Sequence, residues 1–446
     1  MARRYPDKTI CVYDHGLFVE MAITLSKDFG RVLYYAPWEN GYPKSNSLRI
    51  GQGITEIERV SSPWSHYDDI DLWVFPDVYE GALQEHLVQQ GKRVWGSRMG
   101  EELELDRVAS KDLCSRLRID IGPFEVITGL DALREHLKRH DDQWVKISAT
   151  RGDMETFHAE TYPMVEVRLD ELEHNLGAKT KVMEFIVEQG INDAVEVGYD
   201  GYCIDGRYPR TAMTGVEVKD EAYIAKVLRY ADLPTQVRSV NDKLAPALKH
   251  YGYRGFISTE VRCPEENGKA YLIDPCARCG SPPSELYQMM IANLAEIIWE
   301  GAGGTVVEPE FSAPWGAELL LISDWADRNW QHVNFPESIR PHVKLRNMTI
   351  IDGHYYVIPQ WTGSPEIGAV VATGDTPDEA IEECKRLAEM VHGHSLDKPV
   401  DALDIAREQL DKILGPQRKA TGGSAETMVK QGRISARQYD KMTAEG

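Results

Sequence analysis

The segment Gly255–Glu285 (GFISTEVRCPEENGKAYLIDPCARCGSPPSE) gathers the residues best suited to chemistry. It reads as a strand, a turn over Glu265–Gly268 and a second strand, the pattern of a hairpin. Each strand ends in a carboxylate followed by an arginine: Glu260 with Arg262, and Asp274 with Arg278. On an antiparallel pair the two acids can stand side by side. Oxygen ligands on adjacent strands, completed by phosphate oxygens and water, suit Mg²⁺. Two nearby guanidiniums suit a phosphate or a carboxylate. A salt-bridged hairpin edge would use the same residues, and the acids alone do not separate the two readings. The run of Gly, Pro and Arg after Asp274 favours a site, because a loop directly after a strand can aim side chains at a ligand.

Other candidates lie upstream. Lys146 sits in the apolar strand Trp144–Ser148, where an inward lysine needs an anion to offset its desolvation. The alternative is a lysine that snorkels at a strand end. The run Ser148–Asp153 follows it, and backbone N–H groups around Gly152 can cradle phosphate beside Arg151; taken alone it is an ordinary turn. Cys276 and Cys279 form a Cys-x-x-Cys. No second pair stands at zinc spacing, and the position at a hairpin end does not fit a thioredoxin-like motif.

The elements around these residues alternate. Strands are expected at Thr9–Tyr13, Arg31–Tyr35, Asp71–Phe75 and Arg93–Trp95, with helices at Phe18–Leu25 and Tyr79–Gln90, so residues 1–105 read as a parallel α/β unit. A helix over Leu105–Leu117 follows, then a strand (Phe124–Ile127), a helix (Asp131–Arg139) and strands at Trp144–Ser148 and Lys181–Val187. Further strands are Ala194–Tyr199, Gly255–Val261 and Ala270–Asp274, and a long helix covers Ser284–Ile298. Strands at Ala317–Ile322, Tyr355–Ile358 and Gly368–Thr373 precede a helix capped by Asp375 or Thr376 and opened by Pro377. After Gly415 the composition is that of a flexible polar tail with one short helix at its end.

The hairpin resembles the metal-binding hairpin of ATP-grasp enzymes, most of all that of the phosphoribosylamine–glycine ligases. Their signature is an acid, an asparagine and an arginine at alternate positions, then Gly and a Pro-Glu. Here the run is Asp274, Cys276, Arg278, Gly280, Pro282, Pro283 and Glu285. The resemblance makes Glu260 and Asp274 the Mg²⁺ ligands and places Arg278 at the phosphate or the acyl phosphate, while Arg262 is a catalytic candidate from its place beside Glu260. Cys276 stands where the family has its asparagine ligand, and a soft thiol is a poor Mg²⁺ ligand. The stretch ASKDLCSRLRIDIGPFEVI is similar to the family's Ser-Lys entry helix, which implies a phosphate contact for Lys111. Trp144–Ile147 is similar to the strand of the main ATP lysine, Lys146, and Arg151-Gly152 to the phosphate-covering loop. Glu184, Phe185 and Ile186 resemble the adenine hinge. Glu196 matches the acid that holds the ribose, with Glu188 as a second candidate, and Lys219 is expected near the phosphates.

The implied architecture is α/β: an N-terminal α/β domain (1–105), a two-lobed ATP-grasp core (106–300, lid lobe about 120–190), a small C-terminal α/β domain (301–415) and a tail (416–446). The implied activity joins a carboxylic acid to an amine, with ATP and Mg²⁺, through an acyl phosphate. An ATP-grasp kinase, or a nucleotide-binding scaffold or sensor that has lost turnover, stays open beside it. The partners are then small molecules, and an oligomer is compatible with the sequence. Composition points the same way. The chain has 446 residues and a net charge of −21, a field that repels nucleic acid and anionic membrane. That field also repels ATP, so a phosphate site has to be a local cluster of cations. No apolar run approaches the ~20 residues of a membrane helix, the start is no secretory signal, and the seven cysteines are expected to be reduced in a cytoplasmic protein.

Overall fold

The computed structural model describes residues 2–37, 49–147, 156–191, 194–264, 269–360 and 366–420. The first elements are β1 (Tyr5–Tyr13), α1 (Val19–Leu25), β2 (Phe29–Tyr35), β3 (Glu58–Arg59), β4 (Leu72–Val74), α2 (Gly81–Gln89) and β5 (Arg93–Trp95). The strands form a parallel sheet in the order β3-β2-β1-β4-β5. Ile10 and Val12 enter one apolar cluster and Cys11 and Tyr13 another, so β1 is buried on both faces as a parallel strand requires.

Next come α3 (Glu102–Leu105) and α4 (Arg107–Arg116). The single helix expected over Leu105–Leu117 is broken at Asp106, whose φ/ψ of −110°/81° is not helical. Its Oδ1 instead accepts the Ala109 N–H at 3.0 Å and caps α4.

A second sheet, antiparallel and ordered β6-β9-β7-β8, is built from β6 (Phe124–Thr128), β7 (Gln143–Ile147), β8 (Thr156–Ala159) and β9 (Glu184–Gln189). The helices α5 (Leu130–Leu137) and α6 (Tyr162–Leu176) cover one face. Leu133 and Leu169 pack there against Val145, Ile147, Phe185 and Val187. The period of two along a strand turns Lys146 and Glu188 to the opposite face. α6 was not expected from the sequence, and β9 starts at Glu184 rather than Lys181 because Gly177–Lys181 forms a 3₁₀ turn.

The remaining strands are β10 (Ala194–Ile204), β11 (Thr211–Val218), β12 (Ala222–Arg229), β13 (Arg254–Pro264), β14 (Tyr271–Cys276), β15 (Trp315–Ile322), β16 (Gln331–Asn334), β17 (Val343–Leu345), β18 (Met348–Ile351), β19 (His354–Val357), β20 (Glu366–Gly374) and β21 (His392–Gly393). Eight of them make one antiparallel sheet, β14-β13-β10-β11-β12-β15-β20-β17, whose hydrogen bonding runs unbroken from the hairpin into the last third of the chain. The helices are α7 (Thr235–His250), α8 (Ser284–Met290), α9 (Leu294–Ala302), α10 (Asp324–Arg328), α11 (Pro377–Glu389) and α12 (Asp401–Ala420).

The long helix expected over Ser284–Ile298 is two. Ile291 is extended, and the Asn293 side chain accepts the Glu310 N–H at 2.8 Å and donates to the Glu308 carbonyl at 3.0 Å. α11 begins with a capping box, Thr376 accepting from the Glu379 N–H and Glu379 from the Thr376 N–H. α12 runs to Ala420, past the Gly415 at which a tail was expected. Among the described residues no helix is long and apolar enough to cross a membrane.

Candidate functional site

Glu260 and Asp274 are directly paired across β13 and β14, and the register shifts just after Glu260. Such an irregularity re-aims the side chains beside it. The two acids feel different fields. The Glu260 carboxyl is pushed well above the usual range, first by burial and then by the negative charges of Glu196, Glu217 and Asp274, with Lys219 opposing. Burial also pushes Asp274 up, but the positive charges of Arg107, Lys146, Lys219 and Arg278 outweigh it and hold Asp274 low. A pair of strand-borne acids with surplus negative charge fits a divalent cation. Among the described residues no group of three or more His, Cys, Asp or Glu side chains is placed to hold a metal by itself. Water and phosphate oxygens would have to complete the shell, as the chemistry of Mg²⁺ favours.

The small antiparallel sheet brings Lys146 and Glu188. Lys146 on β7 and Glu188 on β9 are diagonal neighbours, since Trp144 pairs with Glu188 and Lys146 with Ile186. Lys146 Nζ lies 3.0 Å from Glu188 Oε2 and donates to the Ile273 carbonyl of the hairpin at 3.3 Å. Lys111 comes from α4, forms an ion pair with the other Glu188 oxygen and stands 5.0 Å from the centre of the Phe124 ring. All three side chains are no more than 13% exposed. Burial alone would raise Glu188, but Lys146 and Lys111 outweigh it and hold the carboxyl low. A narrow cleft lined by Arg107, Ser110, Lys111, Lys146 and Asp274 joins this cluster to one of the two hairpin acids.

The other expected residues are placed unevenly. Arg278 is nearly buried: its Nε donates to Glu104 Oε1 at 2.9 Å and lies 3.9 Å from Asp77, while Glu104 Oε2 accepts the Ala277 N–H at 2.9 Å. Arg262 pairs with Glu196 at 3.0 Å and donates to the Ile191 carbonyl at 3.1 Å, so it braces the chain just beyond β9. Lys219 is 81% exposed, within 3.8 Å of Glu217 and 3.4 Å of Asp220. Ile186 is buried beside Lys146, whereas Phe185 faces the core under α5 and α6 and Glu184 lies exposed at the start of β9. Arg151 and Gly152 fall outside the described residues.

Sequence reading undervalued Glu188, which is the centre of the lysine cluster. Its place was readable from the alternation Phe185–Val187 against Ile186–Glu188 once β9 is known. Arg107, four residues before Lys111 and so on the same helix face, was readable from spacing. Glu104 and Asp77 carry no local signal, because Arg278 meets them only through the tertiary fold.

The chain has the ATP-grasp fold. It superposes on phosphoribosylamine–glycine ligase of Thermotoga maritima with a TM-score of 0.61 at 16% identity, over 87% of this chain and 98% of that one. Biotin carboxylase of Campylobacter jejuni, a β,γ-ATP complex, gives 0.62 at 12% identity over 90% and 95%. N5-carboxyaminoimidazole synthetase of Staphylococcus aureus with ADP gives 0.57 at 12% over 86% and 98%. No protein-family model matches the sequence, and no curated protein does.

Proposed function

We propose that the chain is an Mg-ATP-dependent carboxylate–amine ligase. The observation that carries this reading is the convergence of Lys111 and Lys146 on one carboxylate, with Lys146 also touching the hairpin that bears Glu260 and Asp274. In a chain of net charge −21 these buried cations form a local positive site, and polyphosphate is the ligand such a site suits. The ADP and β,γ-ATP complexes among the structural relatives support a nucleotide here.

When bound, Mg-ATP supplies the γ-phosphoryl group that turns a carboxylate into an acyl phosphate with a stable leaving group. The protein's part is position and charge. Lys111 and Lys146 neutralise phosphate oxygens, and Glu260 and Asp274 hold the metal. Arg278, locked by Glu104, presents a fixed guanidinium at the end of the hairpin. Lys146 draws its strand onto the hairpin and helps keep water from the acyl phosphate. Amine attack on that intermediate requires no nucleophilic side chain. The loops around Arg278–Glu285 and the N-terminal unit are the candidates for the acid and amine pockets. A non-catalytic nucleotide-binding role is the second reading, and the partly exposed thiol of Cys276 beside the two acids favours it.

The test is ADP and phosphate release with Mg-ATP across pools of carboxylic acids and amines, in the wild type, Lys146→Ala and Asp274→Ala. Release that needs both an acid and an amine, and is lost in both variants, supports the ligase. ADP release that needs no amine and leaves the phosphoryl group on the acid makes the chain a kinase, and ATP binding without release under any pool supports the second reading.

A further inference from the structure

The order of the N-terminal sheet reverses between β1 and β4: β2 and β3 lie on one side of β1, β4 and β5 on the other. Open parallel sheets take ligands at the carboxyl ends of such a pair. Rings gather at that end. Tyr13, the last residue of β1, stacks on Phe75, just past β4, at 5.3 Å and meets Tyr35, the last residue of β2, edge-on at 4.9 Å. His15 stands edge-on to both Tyr13 (6.4 Å) and Tyr79 (5.9 Å). Tyr79 is 44% exposed with φ +86°, a conformation that a bulky residue adopts only under constraint. The constraint is the buried Glu101 carboxylate, which accepts the N–H groups of Tyr79, Glu80 and Gly81. Strain of this kind collects at binding sites.

The crevice is negative. Glu80 accepts from the Tyr13 hydroxyl and lies 3.7 Å from His15 Nε2, and burial pushes its carboxyl up against both partners. Asp14 and Asp77 add charge, and among the described residues the buried Asp14 Oδ1 has no hydrogen-bond partner. Arg59 stands 5.8 Å from the Tyr35 ring but donates to the carbonyls of Ile50, Val60 and Ala36. The crevice also adjoins the end of the hairpin. The Cys279 N–H donates to the Pro76 carbonyl at 2.9 Å, and Arg278 lies 3.9 Å from Asp77. A carboxylate among aromatic rings suits an organic cation and repels an anion. We propose that this crevice holds the amine substrate as an alkylammonium, with its charge on Glu80 and its body against the rings of Tyr13, Tyr35 and Tyr79. This rests on the ligase reading of the proposed function, in which an amine attacks beside Arg278.

The experiment titrates three probes that share one ring, phenethylamine (cation), phenethyl alcohol (neutral) and phenyl phosphate (anion), into the wild type, Glu80→Gln and Tyr79→Gly by calorimetry. In the wild type the amine is expected to bind at least tenfold tighter than either other probe, the scale of one charge-assisted contact. Glu80→Gln should bring it down to the level of the alcohol. Tyr79→Gly should weaken the amine several-fold yet unfold at the same or a higher temperature, since glycine relaxes the positive φ. A ring that served only the fold would lose stability instead. No binding of the amine, binding no tighter than that of the alcohol or the phosphate, or an amine affinity untouched by Glu80→Gln overturns the proposal. Should Glu80→Gln not fold, an unaltered amine affinity in Tyr79→Gly overturns it. Mg-ATP is titrated in parallel. A wild type that binds no ATP strikes the nucleotide site of the proposed function, whereas ATP binding beside an amine series indifferent to charge strikes this inference alone.

Discussion

Replacing Glu188 by glutamine removes the one charge that holds Lys111 and Lys146 together. Lys146 Nζ is 3.0 Å from Glu188, and the three side chains are 8–13% exposed. At that separation and an effective dielectric of about 20, the attraction of each pair is about 5 kcal/mol before desolvation. Removing one partner of a buried ion pair costs about 3–5 kcal/mol, because the survivors stay buried and uncompensated. Glu188→Gln should therefore lose about 3 kcal/mol of unfolding free energy, measured by urea denaturation at neutral pH. Nucleotide changes the comparison. In the wild type the lysines must share their charge between Glu188 and the phosphates; in the variant the phosphates no longer compete with Glu188. Mg-ATP at a hundredfold excess over its Kd stabilises the wild type by about 2.7 kcal/mol, and it should stabilise the variant by at least 1 kcal/mol more. The gap between the two proteins should narrow in nucleotide. A gap that is absent without nucleotide, or that stays constant or widens with it, would refute the claim that these lysines meet phosphate.

Two further outcomes follow from the charges around the site. Glu217 is pushed from 4.5 up to about 7 by burial and by the negative charges of Asp220 and Glu196, against Lys219. A raised carboxyl costs nothing below pH 4.5 and increasingly destabilises as it ionises, so its penalty should appear as pH rises from 4.5 through about 7 and reach at most about 3 kcal/mol. Glu217→Gln should remove that slope from the stability–pH curve, and a slope that persists in the variant contradicts the assignment. Arg278→Met should lower stability by about 3–5 kcal/mol, since Glu104 and Asp77 are left beside it at 6% and 4% exposure. Adding Glu104→Gln should recover part of that loss in thermal unfolding; no recovery would mean the ion pair is not what Arg278 contributes.

The hairpin was legible because its chemistry is local: two strands close in sequence bring Glu260 and Asp274 into register, whatever surrounds them; the turn expected over 265–268 lies outside the described residues. The inward aim of Lys146 was legible for a similar reason, as a charge inside an apolar strand. The helix breaks at Asp106 and Ile291 were not. Asp106 is decided by a cap that competes with continued helix, and Ile291 by Asn293, which binds the backbone at Glu308 and Glu310 instead of helping α8 continue. α6 was missed although Val165, Leu169 and Leu172 have helical spacing, because charged residues dilute the pattern. The lock on Arg278 was beyond sequence reasoning altogether, since Glu104 lies 174 residues away. Glu188 shows the intermediate case: a strand was expected up to Val187, one residue short of it, and its importance depends on α4 delivering Lys111 to the same carboxylate.

In the proposed function, Lys111, Lys146 and the Glu260–Asp274 pair form one Mg-ATP site. Calorimetric titration of ATP into the wild type, Lys146→Ala and Asp274→Ala, each with and without Mg²⁺, tests it most directly. ATP should bind the wild type, Lys146→Ala should weaken it at least tenfold in either condition, and Asp274→Ala should lose most of the benefit of Mg²⁺. ATP binding that ignores both substitutions, or no binding at all, would contradict it.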